Sequence, residues 1–430
     1  MKFGRREFIQ AAAAILTAAR AGASAGLDWL TAGARTILPG NRSGAQTMSA
    51  KKTHDVAVIG AGVFGSWIAL HLAKAGKKVA LLDAYGPANA RASSAGESRI
   101  IRMGYGPDEL YTRWAMRALT LWKEFFEQTG NPLFHRTGVL WLAGAKDAYT
   151  QATAATLARV GVPTERMSRA DLEKRFPQFN LDGVEWGLLE PESGALMARR
   201  AVQAVAAAAV KSGAELISAA VAKPTGRGSL DAVKTASGGE FHAGTFVFAC
   251  GPWLGKIFPE LLGERIFPSR QEVFFLGAPA GDDRFAPPAM PTWIFLADEV
   301  YGLPDLENRG FKIAFDAHGE RVDPDMQSRV VSPESAAAIR KYVARRFPAM
   351  KDAPVVETRV CQYENTSSGD FLIDRHPGFS NVWLVGGGSG HGFKHGPALG
   401  EYLAARITGG GVEPRFSLAT KQSVQKRAVY

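Results

Sequence analysis

A strand, a glycine-rich turn, a helix and a second strand follow one another between residues 55 and 83. The run 55–59 is rich in β-branched residues, which is typical of a buried strand. A helical pattern comes next, and a second apolar run ends at Asp83. The glycines of the turn have the spacing GxGxxG: Gly60, Gly62 and Gly65. This order of elements predicts an α/β fold that contains a parallel βαβ unit.

Each polar or glycine position of this unit has its own role in binding a dinucleotide. Gly60 permits the tight turn, Gly62 lets backbone amides approach a pyrophosphate, and Gly65 lets the helix pack on the strand. The helix N-terminus adds partial positive charge, and Asp83 can accept hydrogen bonds from ribose hydroxyls. Glycine-rich turns also occur for structural reasons alone, but here strand, glycines, helix and acid stand in order. The unit predicts a dinucleotide and leaves NAD and FAD both open.

A second strand, glycine-rich loop and helix lie more than 300 residues further along the chain. The strand 382–385 precedes the loop 386–394, and Pro397 stands in the first turn of the next helix, where proline is tolerated. The loop contains three spaced glycines: Gly388, Gly390 and Gly392. A reduced flavin ring carries negative charge, which backbone amides and a helix N-terminus stabilise. A site built from both glycine-rich loops, with one at each end of the cofactor, favours a flavin.

Several further segments resemble the monomeric sarcosine oxidase and N-methyltryptophan oxidase family of FAD-dependent amine oxidases, within the D-amino-acid-oxidase fold group. The matching segments are 55–83, 96–102, 137–140, 250–253, Lys312 and 360–394. The blocks Arg-Ile-Ile-Arg and Ser-Gly-His-Gly-Phe-Lys are specific to that family, whereas the glycine fingerprint is not. The resemblance spans nearly all of residues 53–415.

The resemblance implies two interleaved domains. An FAD-binding Rossmann-like domain is expected to combine residues 53–136, 194–262 and 368–430. A substrate domain built on an antiparallel sheet is expected to combine residues 137–193 and 263–367.

Two residues acquire cofactor-related roles from the resemblance. Cys361 matches the cysteine that holds FAD through a thioether to the flavin 8α position; a buried free thiol is the alternative. Lys312 matches the lysine that promotes the reaction of reduced flavin with oxygen, because an ammonium stabilises the superoxide charge. Strand alternation places Lys312 on the same face as the small Gly310 and Ala314. A solvated lysine on an edge strand is the alternative.

Four residues are expected around the substrate and the flavin. Arg102 and Lys394 match the pair that binds the substrate carboxylate, with Arg offering a fork for two oxygens and Lys a point charge. Arg99 matches an arginine close to the flavin, and Tyr363 matches a residue close to the substrate. Each of them alone is more often a surface charge or a core tyrosine, so the prediction depends on their combination.

Two pocket positions depart from the family pattern. The family often has a His-His pair where this chain has Ser94 and Ala95, and often a His where this chain has Asp316. These departures argue against sarcosine itself. A different carboxylate-bearing secondary amine is expected, because Arg102 and Lys394 are retained.

The N-terminal residues 1–25 contain the parts of an export signal. Arg5 and Arg6 precede an uncharged, alanine-rich run over 8–19, which is shorter than the about 20 residues of a membrane span. The paired arginines resemble a twin-arginine signal, which a receptor reads and which is not an anchor. An amphipathic surface helix is the alternative. Residues 26–52 are expected to form a flexible leader.

This interpretation predicts a periplasmic or exported protein that folds and takes up its cofactor before it crosses the membrane. A disulfide between Cys250 and Cys361 is therefore not expected, because folding takes place in a reducing cytoplasm. Cys250 is expected to serve packing. With only two cysteines in the chain, a four-cysteine zinc site is excluded, and we predict no metal.

The net charge of +10 is explained mainly by the N-terminus. Residues 1–52 hold eight basic and two acidic residues, which leaves an excess of only four positive charges for the rest of the chain. We find no basic stripe interleaved with aromatic residues, so nucleic acid is not an expected partner. The remaining excess suits a pocket that binds anions.

The sequence therefore predicts an exported, monomeric FAD enzyme that oxidises a small carboxylate-bearing amine and passes electrons to oxygen, with hydrogen peroxide as product. A dehydrogenase that passes electrons to a quinone or carrier is the first alternative. A flavin-binding subunit without catalytic activity is the second.

Overall fold

The computed structural model describes residues 54–425. The predicted signal peptide at 1–25 and the predicted leader at 26–52 lie outside the described residues. Within 54–425, no helix is both long enough and apolar enough to cross a membrane.

Eighteen strands occur in residues 54–425, and we number them in chain order. They are β1 His54–Ile59, β2 Val79–Asp83, β3 Arg99–Ile101, β4 Phe134–His135, β5 Val139–Ala143, β6 Glu165–Ser168, β7 Trp186–Glu190, β8 Gly194–Leu196, β9 Glu215–Ser218, β10 Ala232–Lys234, β11 Glu240–Phe248, β12 Phe267–Leu276, β13 Thr292–Phe295, β14 Val300–Leu303, β15 Phe311–Phe315, β16 Val355–Asn365, β17 Leu372–Arg375 and β18 Val382–Gly386. The strands form sheets of seven, eight and three strands.

The same part of the chain contains nine α-helices, also numbered in chain order. They are α1 Val63–Lys74, α2 Glu109–Thr129, α3 Ala148–Arg159, α4 Arg169–Arg175, α5 Ala198–Lys211, α6 Leu254–Ile257, α7 Pro259–Leu262, α8 Pro333–Arg346 and α9 Gly396–Ile407.

The seven-stranded sheet contains the predicted βαβ unit. Its strand order is β17-β18-β11-β1-β2-β9, with β10 paired to β11. The pairs β1–β2, β1–β11, β11–β18 and β2–β9 are all parallel. The carboxyl ends of these strands therefore meet at one edge of the sheet, which is where open α/β sheets bind their ligands.

Helix α1 connects β1 to β2 and packs against α5 and α9. It is apolar on nearly all sides, and its buried residues include Trp67 and Leu70, as expected for a helix enclosed by other elements. The helix ends at the Ala75 cap, and Gly76 follows with a φ of +76°. Gly76 thus adopts, directly after the helix, the left-handed conformation that favours glycine.

The eight-stranded sheet has the order β16-β12-β15-β14-β13-β5-β7-β6. All of its pairs are antiparallel except β5–β13. Strand β15 lies between β12 and β14, so Lys312 is on an interior strand and the edge-strand alternative is wrong. Phe311 and Ile313 enter one apolar core, while Ala314 belongs to a small cluster with Val273, as strand alternation predicts.

A small antiparallel sheet of β3, β8 and β4 joins segments that are far apart in the chain. It places Arg99 opposite Leu196. The strands of the seven-stranded sheet fall within the segments predicted for the FAD-binding domain, and those of the eight-stranded sheet within the segments predicted for the substrate domain. The domain boundaries themselves stay a prediction.

Candidate active site

A cavity of about 450 Å³ lies at the carboxyl ends of β1, β2 and β11. We call it the glycine-loop cavity, because both glycine-rich loops contribute to its wall. Its lining includes Gly60, Gly62, Asp83, Arg99, Cys361, Glu364, Gly388, Gly390 and Gly392. Of the residues predicted to bind the cofactor, Gly65 alone is not part of this lining.

The three glycines of the first loop have different surroundings. Gly60 has a φ of +104°, and a Cβ there would lie 2.3 Å from the carbonyl oxygen of Ala249. A Cβ on Gly65 would lie 1.7 Å from the oxygen of Gly60, so close packing of helix on strand requires this glycine. At Gly62 the nearest atom would be Oγ of Ser94, at 3.4 Å. Gly60 and Gly65 therefore serve the backbone, and Gly62 faces the cavity.

The N-terminus of α1 opens into the same cavity. Its cap residue is Gly62, which has no side chain to accept hydrogen bonds from the first turn. Oγ of Ser94 accepts one of them, from the amide of Val63 at 3.0 Å. An anion in this position would interact favourably with the helix dipole and the amides of the first turn. Ser94, at a position where the family pattern differs, thus takes part in the turn.

The Asp83 carboxylate is held by backbone amides at the end of β2. It accepts hydrogen bonds from Ala61 at 2.8 Å and from Tyr85 at 2.9 Å. Each carboxylate oxygen can accept more than one hydrogen bond, so the group can also accept from a ribose. Asp83 therefore stabilises the glycine turn as well as lining the cavity.

Cys361 and Arg99 meet at the far end of the glycine-loop cavity. Nη2 of Arg99 lies 3.1 Å from Sγ of Cys361. Cys361 lies on β16 opposite Gln271 of β12. Both cysteines of the chain are free, and burial raises the pKa of the Cys250 thiol well above its usual range. Cys250 is therefore a packed, neutral thiol, whereas Cys361 has a cationic neighbour.

A second cavity, of about 510 Å³, adjoins the first, and we call it the Arg102 cavity. The two cavities share five lining residues: Arg99, Cys361, Tyr363, Gly390 and Phe393. The Arg102 cavity adds Arg102, Lys394 and Asp316 to these, together with aromatic walls from Trp141, Tyr149 and Tyr301. The three residues predicted to lie at the substrate, Arg102, Lys394 and Tyr363, thus line one space beside the cofactor end, together with Arg99.

Arg102 and Lys394 are both buried and both contact Tyr105. The guanidinium of Arg102 lies 4.6 Å from the centre of the Tyr105 ring and 4.8 Å from that of Trp141. Nζ of Lys394 donates to the Tyr105 hydroxyl and to the carbonyl of His391, each at 2.9 Å. Burial lowers the pKa of Lys394 well below its usual range, and the charge of Arg102 lowers it further. A bound carboxylate would oppose both effects.

A buried carboxylate that we did not predict positions the segment after Arg102. Glu190, at the end of β7, accepts hydrogen bonds from the amides of Met103 and Gly104 at 2.7 and 3.1 Å. It also accepts from Nε1 of Trp141 at 2.8 Å. Arg102 donates to the carbonyl of Gly104. Glu190 therefore fixes the backbone segment that accepts a hydrogen bond from this guanidinium and so helps to orient it.

Tyr363 and Asp316 form a hydrogen-bonded pair in the Arg102 cavity. The Tyr363 hydroxyl donates to Oδ1 of Asp316 at 3.0 Å. Burial raises the pKa of Asp316 to about 6, although the Tyr363 hydrogen bond and the charges of Arg102 and Lys394 act in the opposite direction. Asp316 is therefore an acid that changes its charge close to neutral pH.

Lys312 is separated from the other predicted residues. It is 1% exposed and does not belong to the lining of either cavity. Its Nζ donates to the carbonyl of Ser98 at 2.7 Å, next to Arg99 in the chain. Burial lowers the pKa of Lys312 well below its usual range, and the charge of Arg99 contributes.

Comparisons with known proteins agree with this geometry. Residues 55–406 match the model of the family described as FAD dependent oxidoreductase. The chain is 31% identical to monomeric sarcosine oxidase from Bacillus sp. (strain NS-129), over 88% of this chain and 99% of that protein. It is 30% identical to N-methyl-L-tryptophan oxidase from Salmonella heidelberg (strain SL476), over 82% of this chain and 94% of that protein.

The chain belongs to the FAD-dependent oxidoreductases. Within this family it falls in the sarcosine oxidase group of FAD-dependent amine oxidases, which act on CH–NH groups. A solved structure of L-proline dehydrogenase from P. horikoshii superimposes with a TM-score of 0.75 at 23% identity, covering 85% of this chain and 97% of that one. The predicted α/β fold, with an FAD-binding Rossmann-like domain and a substrate domain, is thereby confirmed.

The glycine-loop cavity of this oxidoreductase fits FAD. The N-terminus of α1 and Gly62 would hold the pyrophosphate, and Asp83 a ribose. The amides of the second glycine loop and the Arg99 guanidinium would surround the flavin end, with Cys361 beside them. Within residues 54–425, no cluster of His, Cys, Asp and Glu has the arrangement of a metal site.

Three buried residues of the site were not predicted from the sequence. Tyr105 joins the two cations, Glu190 fixes the backbone after Arg102, and Glu364 lies against the second glycine loop. Glu364 could have been noticed as an acid within a strand next to a predicted site residue. Tyr105 and Glu190 carry no such signal, because their partners are distant in sequence.

Proposed function

We propose that this enzyme oxidises the C–N bond of a small secondary or N-methyl amine that bears a carboxylate, and that oxygen is the electron acceptor. One observation carries the proposal: two buried cations, Arg102 and Lys394, converge on Tyr105 in a cavity that shares its wall with the cofactor cavity. A carboxylate is the ligand group that best compensates two buried positive charges.

The protein groups would bind and orient the substrate. Arg102 would take the two carboxylate oxygens in its fork, and Lys394 would add a point charge. The aromatic walls exclude water and enclose the apolar part of the substrate. When bound, FAD would supply the redox chemistry by accepting a hydride equivalent, which is two electrons and one proton, from the carbon beside nitrogen; water would hydrolyse the imine, and oxygen would take up the two electrons with two protons to give hydrogen peroxide.

Asp316 and Tyr363 would face the remaining polar part of the substrate. Asp316 stands where the family often has His, and above pH 6 it brings a negative charge into a cavity that also holds Arg102 and Lys394. A carboxylate near the bound carboxyl group disfavours dicarboxylic substrates and favours those with a donor N–H or cationic group directed at it. This charge pattern supports an amine other than sarcosine.

We also propose that FAD is covalently bound through Cys361. Bond formation would join Sγ to the flavin 8α carbon, release one proton from each partner, and transfer two electrons to the cofactor, which oxygen then removes. The Arg99 contact supports this role because the guanidinium donates to Sγ and would stabilise negative charge that develops on the sulfur as the bond forms.

The most useful experiment is anaerobic. The purified holoenzyme is mixed with a panel of N-methyl, cyclic and primary amino acids, and flavin bleaching is recorded. Bleaching by carboxylate-bearing secondary amines, but not by their methyl amides, is the expected result. Bleaching by no amine would favour a flavin-binding subunit without catalytic activity.

The electron acceptor separates the oxidase from the alternative dehydrogenase. One hydrogen peroxide formed per substrate oxidised is expected for the oxidase. Bleaching by an amine, with slow reoxidation in air and fast reoxidation by a quinone, would instead identify a dehydrogenase.

Location and assembly are further parts of the proposal. The paired arginines Arg5 and Arg6 support twin-arginine export and a periplasmic or exported enzyme without a stable membrane anchor. Replacing both with lysine should keep the protein in the cytoplasm on cell fractionation. Light scattering after gel filtration should give the mass of a monomer.

A further inference from the structure

Glu364 is a buried acid in the glycine-loop cavity to which the reaction above assigns no role. It lies on β16, three residues after Cys361, and is 6% exposed. Its Oε1 accepts a hydrogen bond from the amide of Gly388 at 3.2 Å, and its backbone carbonyl accepts one from Ser389 at 3.0 Å. The side chain is therefore fixed against the second glycine loop.

The other carboxyl oxygen of Glu364 has no protein partner within residues 54–425. Oε2 is buried and makes no hydrogen bond. It lies 3.3 Å from the position of a Cβ on Gly386 and 3.7 Å from that of a Cβ on Gly251. The two glycines thus leave room beside this oxygen, and Glu364 is one of the residues that line the cavity. A buried polar atom without a partner is costly, so a bound ligand is the expected partner.

Among residues 54–425, no positively charged side chain acts on the pKa of Glu364. Its neighbours include Pro268 opposite on β12, Cys250 and Gly251 after β11, Gly386 at the end of β18, and Gly387 and Gly388 of the loop. Cys250 is the titratable group among them, and it is a neutral thiol. Burial raises the pKa of Glu364 to about 7, while the amides of Gly387 and Gly388 act in the opposite direction.

A carboxyl group in such surroundings is suited to be a hydrogen-bond donor. Because Oε1 already accepts from Gly388, the proton of the neutral acid belongs on Oε2. An acid kept neutral by an apolar site donates a strong hydrogen bond to an acceptor, whereas its ionised form repels an acceptor that gains negative charge. FAD offers oxygen and nitrogen acceptors, and its ring gains negative charge on reduction.

We propose that Glu364 is a cofactor-contacting residue, and that its protonated Oε2 donates a hydrogen bond to an acceptor atom of bound FAD, which links the reduction of FAD to the ionisation of this side chain. The inference rests on FAD binding and not on the identity of the amine or the acceptor. Reduction of FAD would increase the affinity of the Glu364 side chain for its proton. Near neutral pH the protein should therefore take up additional protons when FAD is reduced.

The test compares wild type with Glu364→Gln, and Glu357→Gln serves as the control. Glu357 lies on the same strand but pairs with Arg309 and Arg359 outside the glycine-loop cavity. The midpoint potential and the absorption spectrum of the bound flavin are measured from pH 5.5 to 8.5 with a chemical reductant and no amine. Proton uptake on reduction is measured in weakly buffered solution.

Wild type and Glu357→Gln should show a spectral change with pH and up to one additional proton per two electrons around neutral pH. Glu364→Gln should lose both, because an amide donates at every pH and does not ionise. An unchanged pH profile in Glu364→Gln would overturn the proposal.

If Glu364→Gln does not retain FAD, the proposal is tested on the wild-type enzyme alone. Carboxylic acid C=O bands in the infrared difference spectrum between oxidised and reduced enzyme are then recorded at pH 6 and pH 8. A band that shifts on reduction supports a protonated acid at the flavin. No carboxylic acid band at either pH, with equal proton uptake at both, would refute it. Because no amine is present, failure here is distinct from failure of the proposed amine oxidation.

Discussion

The guanidinium of Arg99 donates from Nη2 to Sγ of Cys361 at 3.1 Å, across 262 residues of sequence. The two residues belong to different sheets, since Arg99 lies on β3 and Cys361 on β16. Their contact lies where the glycine-loop cavity and the Arg102 cavity meet. It therefore joins three parts of the proposed chemistry: attachment of the cofactor, charge at the flavin, and access of the substrate.

The first prediction concerns covalent attachment. Cys361→Ser should release its flavin into the supernatant after acid precipitation, whereas wild type should retain it in the protein pellet. Cys250→Ser is the control: Cys250 is half-buried and also lines the glycine-loop cavity, but its thiol donates to the carbonyl oxygen of Ile59. Flavin that remains with the pellet of Cys361→Ser would show that another residue is the point of attachment.

A second prediction concerns the role of Arg99 in forming that bond. Arg99→Leu should slow covalent incorporation of FAD into the apoprotein by about tenfold or more, because the cation that would stabilise negative charge on the attacking sulfur is lost. Arg99→Lys should retain part of the rate, since it keeps the charge but loses the fork. Incorporation is followed by the flavin fluorescence of the denatured protein band. Equal rates in wild type and both variants would remove Arg99 from this role.

Some of this site was predictable because its determinants are local. The glycines of the first loop stand in sequence order with the strand and helix that they connect, and Gly60 and Gly65 meet the steric demands expected of them. The rest depends on contacts between distant segments. The Tyr105 hydroxyl contacts Lys394 across 289 residues, and Glu190 contacts the amide of Met103 across 87. No local sequence pattern indicates either contact.

Lys312 also shows which features a local pattern predicts and which it does not. Its place on a strand and the face on which it lies follow from the alternation of its neighbours. Whether that strand is at the edge or in the interior depends on β12 and β14, which pair with it. Because strand pairing is decided by the whole sheet, the sequence left both alternatives open.

The third prediction concerns oxygen. Lys312→Met should slow reoxidation of the reduced flavin by about 10²-fold or more if, as the family resemblance implies, the Lys312 ammonium stabilises the developing superoxide from its position beside Ser98. Anaerobic reduction of the flavin by the amine should change far less. Stopped-flow absorbance measures the two half-reactions separately, and Lys351→Met, at an exposed lysine, is the control. Equal slowing of both half-reactions would contradict the assignment.

The fourth prediction concerns the carboxylate site. Arg102→Met and Lys394→Met should each lower kcat/KM for a carboxylate-bearing amine by about 10²–10³-fold, because removing one partner of a buried charge pair costs about 2–5 kcal/mol. The methyl amide of the same substrate should be affected much less. The ratio of the two losses separates lost carboxylate binding from general damage to the fold. Equal losses for acid and amide would contradict the role.

The last prediction uses the pKa of Asp316, which burial raises to about 6. For an acid whose pKa is higher in the folded state, the stability contribution is complete below the unfolded pKa of about 3.9 and is lost as pH rises through the folded value. Asp316→Asn cannot ionise, so its free energy of unfolding relative to wild type should increase by about 1–3 kcal/mol between pH 4 and pH 7.5. Urea unfolding at both pH values measures this difference. Asp282→Asn is the control: Arg284 lowers the pKa of Asp282, so its pH-dependent contribution is lost below about pH 4, and the relative stability of this variant should change little between pH 4 and pH 7.5. A relative stability of Asp316→Asn that does not change with pH would show that Asp316 is not a buried acid.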